Sequence, residues 1–450
     1  MGVMSRKQRL SLLVPVALLV GVTTSCGAES SMVDVASDDA PAAFGSEIGH
    51  NEPALPEDPF ASDCVEPTVH DPVAGYCVTS QGEDLNPQDG SFRTLHPWLQ
   101  EAQADGETIR YVIPGFAPGG HGGPEHPLGS WSGATDNLPP GSNVTYVVGR
   151  GRVDGRLELD GMGRVTIIGN AAAVTRLRSD NEAAIVADEL TGLRVWGLAI
   201  ERLGDVPGPA VEIRDTGAVS MGQLRLLKSS GGGILSQRSG EAGFMLTNSS
   251  FLDIAGDGLR STDALGWWTV DGAEFRGPIG SDGISVVDFG GSQFRVGNSA
   301  FHNVGSDGIS VVDFGGSQFR VADSDFDNIG SDGIAVVDFG GSQFLVDNGG
   351  FSSVGADGIS VVDFGGSQFR VMASSFEGPI GGDGISIVDF GGSQFRSHQN
   401  HFASIDGSGI SSRGGGGDFA IEESQMEGPI GRDGVTIQGF SGERAHIGTI

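Results

Sequence analysis

The chain is short of positive charge, of cysteine and of long apolar runs. Only 26 of its 450 residues are basic, two of them lysines (Lys7 and Lys228), against 58 acidic residues, a formal net charge of -32. A surface that grips duplex phosphates must be basic, so nucleic acid is not expected as a partner. The three cysteines, Cys26, Cys64 and Cys77, leave room for at most one intramolecular pair plus one further thiol. The apolar run Leu10 to Val22 is thirteen residues long, well below the roughly 20 a helix needs to cross a bilayer. No other stretch is a transmembrane candidate. What is abundant is glycine, 76 residues, which suits many turns and short strands.

The same short run is informative for another reason. Arg6, Lys7 and Arg9 precede it and Thr23-Thr24-Ser25-Cys26 follows it, the order of an export signal. Thr24-Ser25-Cys26 resembles the lipobox of bacterial lipoproteins, although Thr23 replaces the usual Leu. That resemblance implies lipidation at Cys26, attachment to a membrane through the lipid alone, and a protein exported to the cell envelope or secreted. Cys64 and Cys77 would then remain as an even pair for a disulfide in an oxidising compartment. The organisation expected is a signal peptide over 1–26, a flexible acidic tether over 27–60, a disulfide loop with a cap helix and first strand over 61–143, and a repeat domain over 144–450. Within the third segment, Leu95, Trp98, Leu99 and Ala102 fall at helical spacing, with Thr94 available as N-cap; the β-branched stretch Thr108 to Ile113 follows. Helix and strand are expected to plug the open end of a solenoid, with 114–143 as an irregular loop.

Internal repetition dominates the rest. The string GSDGISVVDFGGSQFRV begins at Gly280 and again at Gly305, and close variants begin at Gly330, Gly355 and Gly381, a period of 25 and once 26. Two weaker markers extend it in both directions. One is a small residue before an apolar one, from Ala184-Ile185 to Gly434-Val435; the other is a pair of large apolar residues seven apart, from Leu193 and Ile200 to Phe419 and Met426. Alternation of Ile284 and Val286 around Ser285, then of Phe294 and Val296 around Arg295, with Gly290-Gly291 between, predicts short strands joined by turns. Stacked in register at about 4.8 Å per coil, roughly eleven such coils would make a rod whose Ile284 and Phe294 columns form a continuous core.

The pattern G-I-x-V, turn, F-x-V-x-N-S-x-F resembles right-handed parallel β-helix proteins of the pectin-lyase-like superfamily over about residues 165–440. The fold expected is therefore all-β, a right-handed parallel β-helix with an N-terminal helix cap. The superfamily's polysaccharide lyases and hydrolases imply a carbohydrate-facing groove, but a fold alone does not confer an activity. In coils 184–263 the outward residues are varied, and Asp188, Glu212, Arg214, Arg260 and Asp263 are the candidates for acid, base or hydrogen-bonding roles. Gly120-His121-Gly122 matches a hydrolase element only in isolation and lies ahead of the repeats.

In the near-identical coils the outward residues become Ser285, Ser310, Ser360 and Ser386 beside a valine column, a surface for binding rather than acid–base chemistry. Asp282, Asp307, Asp332, Asp357 and Asp383 would stack at one turn, where like charges repel. Hydrogen bonds to turn amides, raised carboxyl pKa values or bridging calcium could relieve the repulsion; calcium is the one cofactor these residues suggest. Arg295, Arg320, Arg370 and Arg396 are expected to offset an Asp column across the Gly-Gly turn, and Gln293 through Gln394 to form an amide ladder. His302, His398 and His401 lack a third ligand at metal spacing. The leading functional expectation is a surface-anchored β-helix rod that binds polysaccharide or another cell-surface component; the alternative is a lyase or glycoside hydrolase with its groove on coils 184–263.

Overall fold

The computed structural model describes residues 68–71, 76–79 and 96–448, apart from 117–118, 124–125, 171–174 and 443. The expected signal, Cys26, the tether and the Cys64–Cys77 disulfide lie outside the described residues; Cys77 itself falls in the strand Tyr76–Thr79, which pairs antiparallel with Thr68–Asp71. From Thr108 onward the chain is a right-handed parallel β-helix.

Each coil supplies three strands. In one repeat they are Ile284–Phe289 on face 1, Gln293–Gly297 on face 2 and Ala300–Val304 on face 3. Every strand pairs in parallel with its counterpart one coil away, Ile284 with Ile309, Phe294 with Phe319 and Phe301 with Phe326. Among the described residues face 1 has twelve strands, so the rod has about twelve coils against the roughly eleven expected. The extra coil enters face 1 through Leu157–Asp160, where Arg156 stands in place of the small residue that marks the others. Face 2 likewise starts ahead of residue 144, because Thr108–Val112 already pairs in parallel with Val144–Val148.

Aromatic columns fill the tube. Phe294 and Phe319 stack 5.5 Å apart at an interplanar angle of 4°, and Phe301 stacks on Phe326 at 4.7 Å. A third column, Phe289, Phe314, Phe339 and Phe364, repeats at 4.9 Å. Strict alternation would turn Asp288 inward and Phe289 outward. Instead Asp288 adopts a left-handed conformation (φ 57°), which Asp tolerates better than most residues and which resets the alternation so that Phe289 is buried. The glycine of the small–apolar marker is required by packing. A β-carbon on Gly283 would come within 2.6 Å of both the Gly308 carbonyl oxygen and the Phe301 ring.

At the corner between faces 2 and 3, buried serines continue the hydrogen-bond ladder through the bend. The Ser299 amide donates to Ser324 Oγ (3.2 Å), while Ser324 Oγ donates to the Ala322 carbonyl (2.9 Å). Two backbone groups that the turn would otherwise leave unpaired are thereby satisfied.

The expected cap helix is present as Pro97–Ala104, which we call α1. It starts later than the Thr94 cap would place it, because Pro97 occupies the first helical position and His96 Nδ1 accepts the Trp98 amide (3.3 Å). Burial holds the His96 pKa down at about 4, which keeps that nitrogen's lone pair available at neutral pH. Rather than covering the end of the tube, α1 lies on the outer side of face 2, where Leu99 joins Tyr111, Val147 and Ile168. The end is closed by the following loop: Leu128, Trp131 and Ala134 join the main core, and Tyr146 donates its hydroxyl to the Ala134 carbonyl (2.9 Å). Arg110 points into this first coil and donates to the carbonyls of Gly133, Ala134 and Asp136.

Candidate functional site

The outer side of face 1 carries the predicted site residues, each placed by its neighbour in register: Asp188 beside Arg214, Glu212 beside Val186 and Leu235, Leu235 beside Arg260. Arg214 gathers two of the predicted carboxylates, with its guanidinium hydrogen-bonded to Glu212 and 3.9 Å from Asp188. One turn further, Arg238 binds Asp215 through two bonds of 2.8 and 2.7 Å, and that contact holds the Asp215 carboxyl below its usual range. Arg260 is not part of this cluster. Leu235 separates it from Glu212, and its partner is Asp257 at 3.7 Å, on the preceding turn. Asp263 ends the strand's turn on the Arg238 side, exposed and with positive φ. The arrangement is a set of arginine–carboxylate pairs on a flat strand face, pre-oriented to donate and accept hydrogen bonds.

In the repeated coils Ser285, Ser310, Ser360 and Ser386 form one half-buried outward column, broken by Ala335, beside half-buried valines. The Asp282 column is engaged by amides: the carboxylates of Asp282, Asp307, Asp332 and Asp357 accept the backbone N–H of Asp307, Asp332, Asp357 and Asp383, at 2.7 to 3.2 Å. Asp383 accepts that of Ser408 (2.6 Å). Burial pushes the Asp282 and Asp357 carboxyls up and that of Asp332 up to about 7. Two of the three expected remedies therefore act together. Among the described residues no three His, Cys, Asp or Glu side chains gather in a way that could hold a metal ion.

The arginine column does not offset an Asp column across the Gly-Gly turn. Arg320 lies 3.6 Å from Asp347 and Arg396 bonds Glu422 at 2.7 Å, both acceptors at the far end of face 2. The exposed Asp288, Asp313, Asp338, Asp363 and Asp389 carboxylates have no ion pair among the described residues. The glutamine ladder is present from Gln293 to Gln368, with Nε2–Oε1 distances of 2.5, 3.0 and 3.3 Å. His401 and His398 sit beside Glu377 and Glu422, at 3.0 and 3.8 Å.

Two features escaped sequence reasoning. The Phe289 column was hidden by the left-handed residue before it. The serine ladder had a visible signal, a serine recurring at 249, 299, 324 and 374, but nothing in the sequence said that it faced inward.

Residues 232–426 match the right-handed β-helix region family. Among solved structures, the catalytic domain of a GH87 α-1,3-glucanase in complex with tetrasaccharides superposes with a TM-score of 0.51 at 12% identity, covering 74% of this chain and 68% of that one. The A-module of the mannuronan C-5 epimerase AlgE4 from Azotobacter vinelandii gives a TM-score of 0.42 at 14% identity, covering 69% and 89%. No curated protein matches the chain in sequence. The protein is a right-handed parallel β-helix, and at these identities the likeness to the glucanase domain is one of fold.

Proposed function

We propose that this is an exported, lipid-anchored β-helix that binds polysaccharide through its N-terminal coils, the repeated coils lengthening the rod. The observation that carries the reading is the contrast along face 1. Between Leu157 and Thr262 the outward positions and adjoining turns hold arginine–carboxylate pairs interspersed with Val186, Leu235, Gln237 and Thr262; from Ile284 to Phe390 they hold serine, valine and unpaired aspartate, the same set several times over. A hydroxyl-rich ligand needs donors and acceptors fixed in advance, and arginine–carboxylate pairs supply both on a rigid sheet. The Thr24-Ser25-Cys26 signal supports the anchor.

Retention of the Cys26→Ser chain, which cannot take lipid, on a glycan array tests the binding. Loss of retention on changing Glu212 or Arg214 to Ala is expected; no retention on any glycan would overturn the reading. For the anchor, wild-type protein made in a bacterial host should partition into detergent and Cys26→Ser should not.

A second reading, a glycoside hydrolase or lyase at the same place, is favoured by one observation: Asp188 and Glu212 converge on Arg214, two carboxylates on one face. Glycosidases work with such pairs, one of them kept protonated by its surroundings. Turnover of neutral or acidic glycans that disappears in Glu212→Gln would establish it, and its absence across a broad panel would remove it.

A further inference from the structure

The outer side of face 2 holds a cleft of about 620 Å³ that the face 1 site does not touch. Its floor is made of small residues in register, Gly192 beside Ala218 and Ala218 beside Gly243. Trp98 of α1 and Arg194 close one end; Met245 and Trp267 close the other. The volume falls within the roughly 300–1,000 Å³ typical of small-ligand sites.

Trp267 is 43% exposed, although the tryptophan next to it, Trp268, is buried in the core. Its indole lies across Gly243, where a β-carbon would come within 2.3 Å of the ring. One coil later the same column becomes Gln293, the start of the glutamine ladder, so the aromatic wall stands where the varied coils give way to the repeated ones.

The charges lining the cleft are already matched. Arg194 donates to Glu101 (2.7 Å) and lies over the Trp98 ring, 5.5 Å from its centroid. Arg164 bonds Glu101 (2.9 Å), Asp105 (3.1 Å) and Glu107. Two arginines facing three carboxylates leave a formal charge of -1, so an anionic ligand would find no free cation and would have to break existing pairs. An exposed indole beside a small-residue floor, rimmed by Ser220 and a fixed guanidinium, matches a ligand with one apolar ring face and hydroxyls around its edge.

We infer that this cleft binds a neutral glycan, with a sugar ring stacked on Trp267 and its hydroxyls met by Ser220 and Arg194. The inference deepens the polysaccharide-binding reading and rests on it, adding a locus on a second face and the charge class of the ligand.

The test uses the full Cys26→Ser chain and compares retention on insoluble neutral glucans with retention on polygalacturonate and alginate. Trp267→Ala is expected to weaken retention on a neutral glucan by about tenfold or more. Trp267→Phe, which keeps an aromatic face, is expected to recover most of it. Circular dichroism of both variants should match the parent, since Trp267 lies outside the core. Neutral-glucan retention unchanged in Trp267→Ala would overturn the cleft while leaving polysaccharide binding intact. Retention on uronate polymers alone would overturn the neutral assignment. No retention of the parent on any glycan would overturn both readings.

Discussion

On the outer side of face 1 the coils before Thr262 carry Asp188, Glu212, Arg214 and Arg260, no two coils alike, while from Ile284 to Phe390 each coil presents nearly the same serine, valine and aspartate. Inside the tube the difference runs the other way. The early coils fill the core with Leu, Ile, Val, Met, Trp and Phe in changing combinations, and the repeated coils from Ile284 to Phe402 with three phenylalanine columns, one of which already begins at Phe251. Duplication has made the interior self-complementary at the expense of surface variety. Stacked identical rings satisfy one another's packing, so a coil can be copied without redesign, whereas a binding surface depends on side chains that differ from their neighbours.

That contrast can be broken most severely from within. Phe319→Ala should cost about 3–5 kcal/mol, because rings above and below hold the cavity open. Chemical denaturation should show the loss, and a cost under about 1 kcal/mol would mean that the columns are loosely packed. Ser324→Ala leaves the buried Ser299 amide unpaired and should cost about 1–3 kcal/mol, although it removes a single oxygen.

The Asp282 column makes the repeated coils sensitive to pH. The Asp332 carboxyl is raised from 3.8 to about 7, so the native state holds a proton that the unfolded chain has lost between those values. The stability this contributes is present below pH 3.8 and disappears as pH rises through 7. Asp332→Asn keeps the amide acceptor, removes the charge, and should raise stability at pH 8 by on the order of 1 kcal/mol, seen as roughly 2–4 °C in Tm, with little change at pH 4. At the capped end the sign reverses. The His96 pKa is lowered from 6.5 to about 4, so its contribution is present above 6.5 and is lost as pH falls through 4. Hydrogen-exchange protection factors in α1 should therefore fall on acidification while those in the repeated coils rise.

The smallest effect sharpens the functional side of the comparison. Deleting one repeated coil, residues 305–329, should shorten the rod by about 4.8 Å and leave glycan retention within about twofold of the parent. A large loss of retention would place binding on the repeated face, at Ser285 and its counterparts.

Much of the fold was legible because a 25-residue period with matching apolar positions has one economical solution, coils in register; the columns of Ile284, Phe294 and Phe301 follow directly. The candidate site was legible in part. Alternation shows that Asp188, Glu212, Arg214 and Arg260 face outward and register puts Leu235 between Glu212 and Arg260, but neither shows that Arg214 gathers Glu212 and Asp188 while Arg260 turns to Asp257, since that depends on side-chain conformation. The arginine column was placed correctly and its partners were not, because the acceptors, Asp347 and Glu422, stand at the far end of face 2 in positions that do not repeat from coil to coil.

By itself the sequence determined the repeat, the parallel stacking, the inward columns and the amide ladder, all consequences of spacing along one chain. Only the tertiary structure decided where non-repeating segments settle: α1 on the outside of face 2, the loop around Trp131 over the open end, and Trp267 as a wall above Gly243. Periodicity dictates register between copies, but a segment that occurs once is positioned by whichever apolar surface remains uncovered after the coils have stacked.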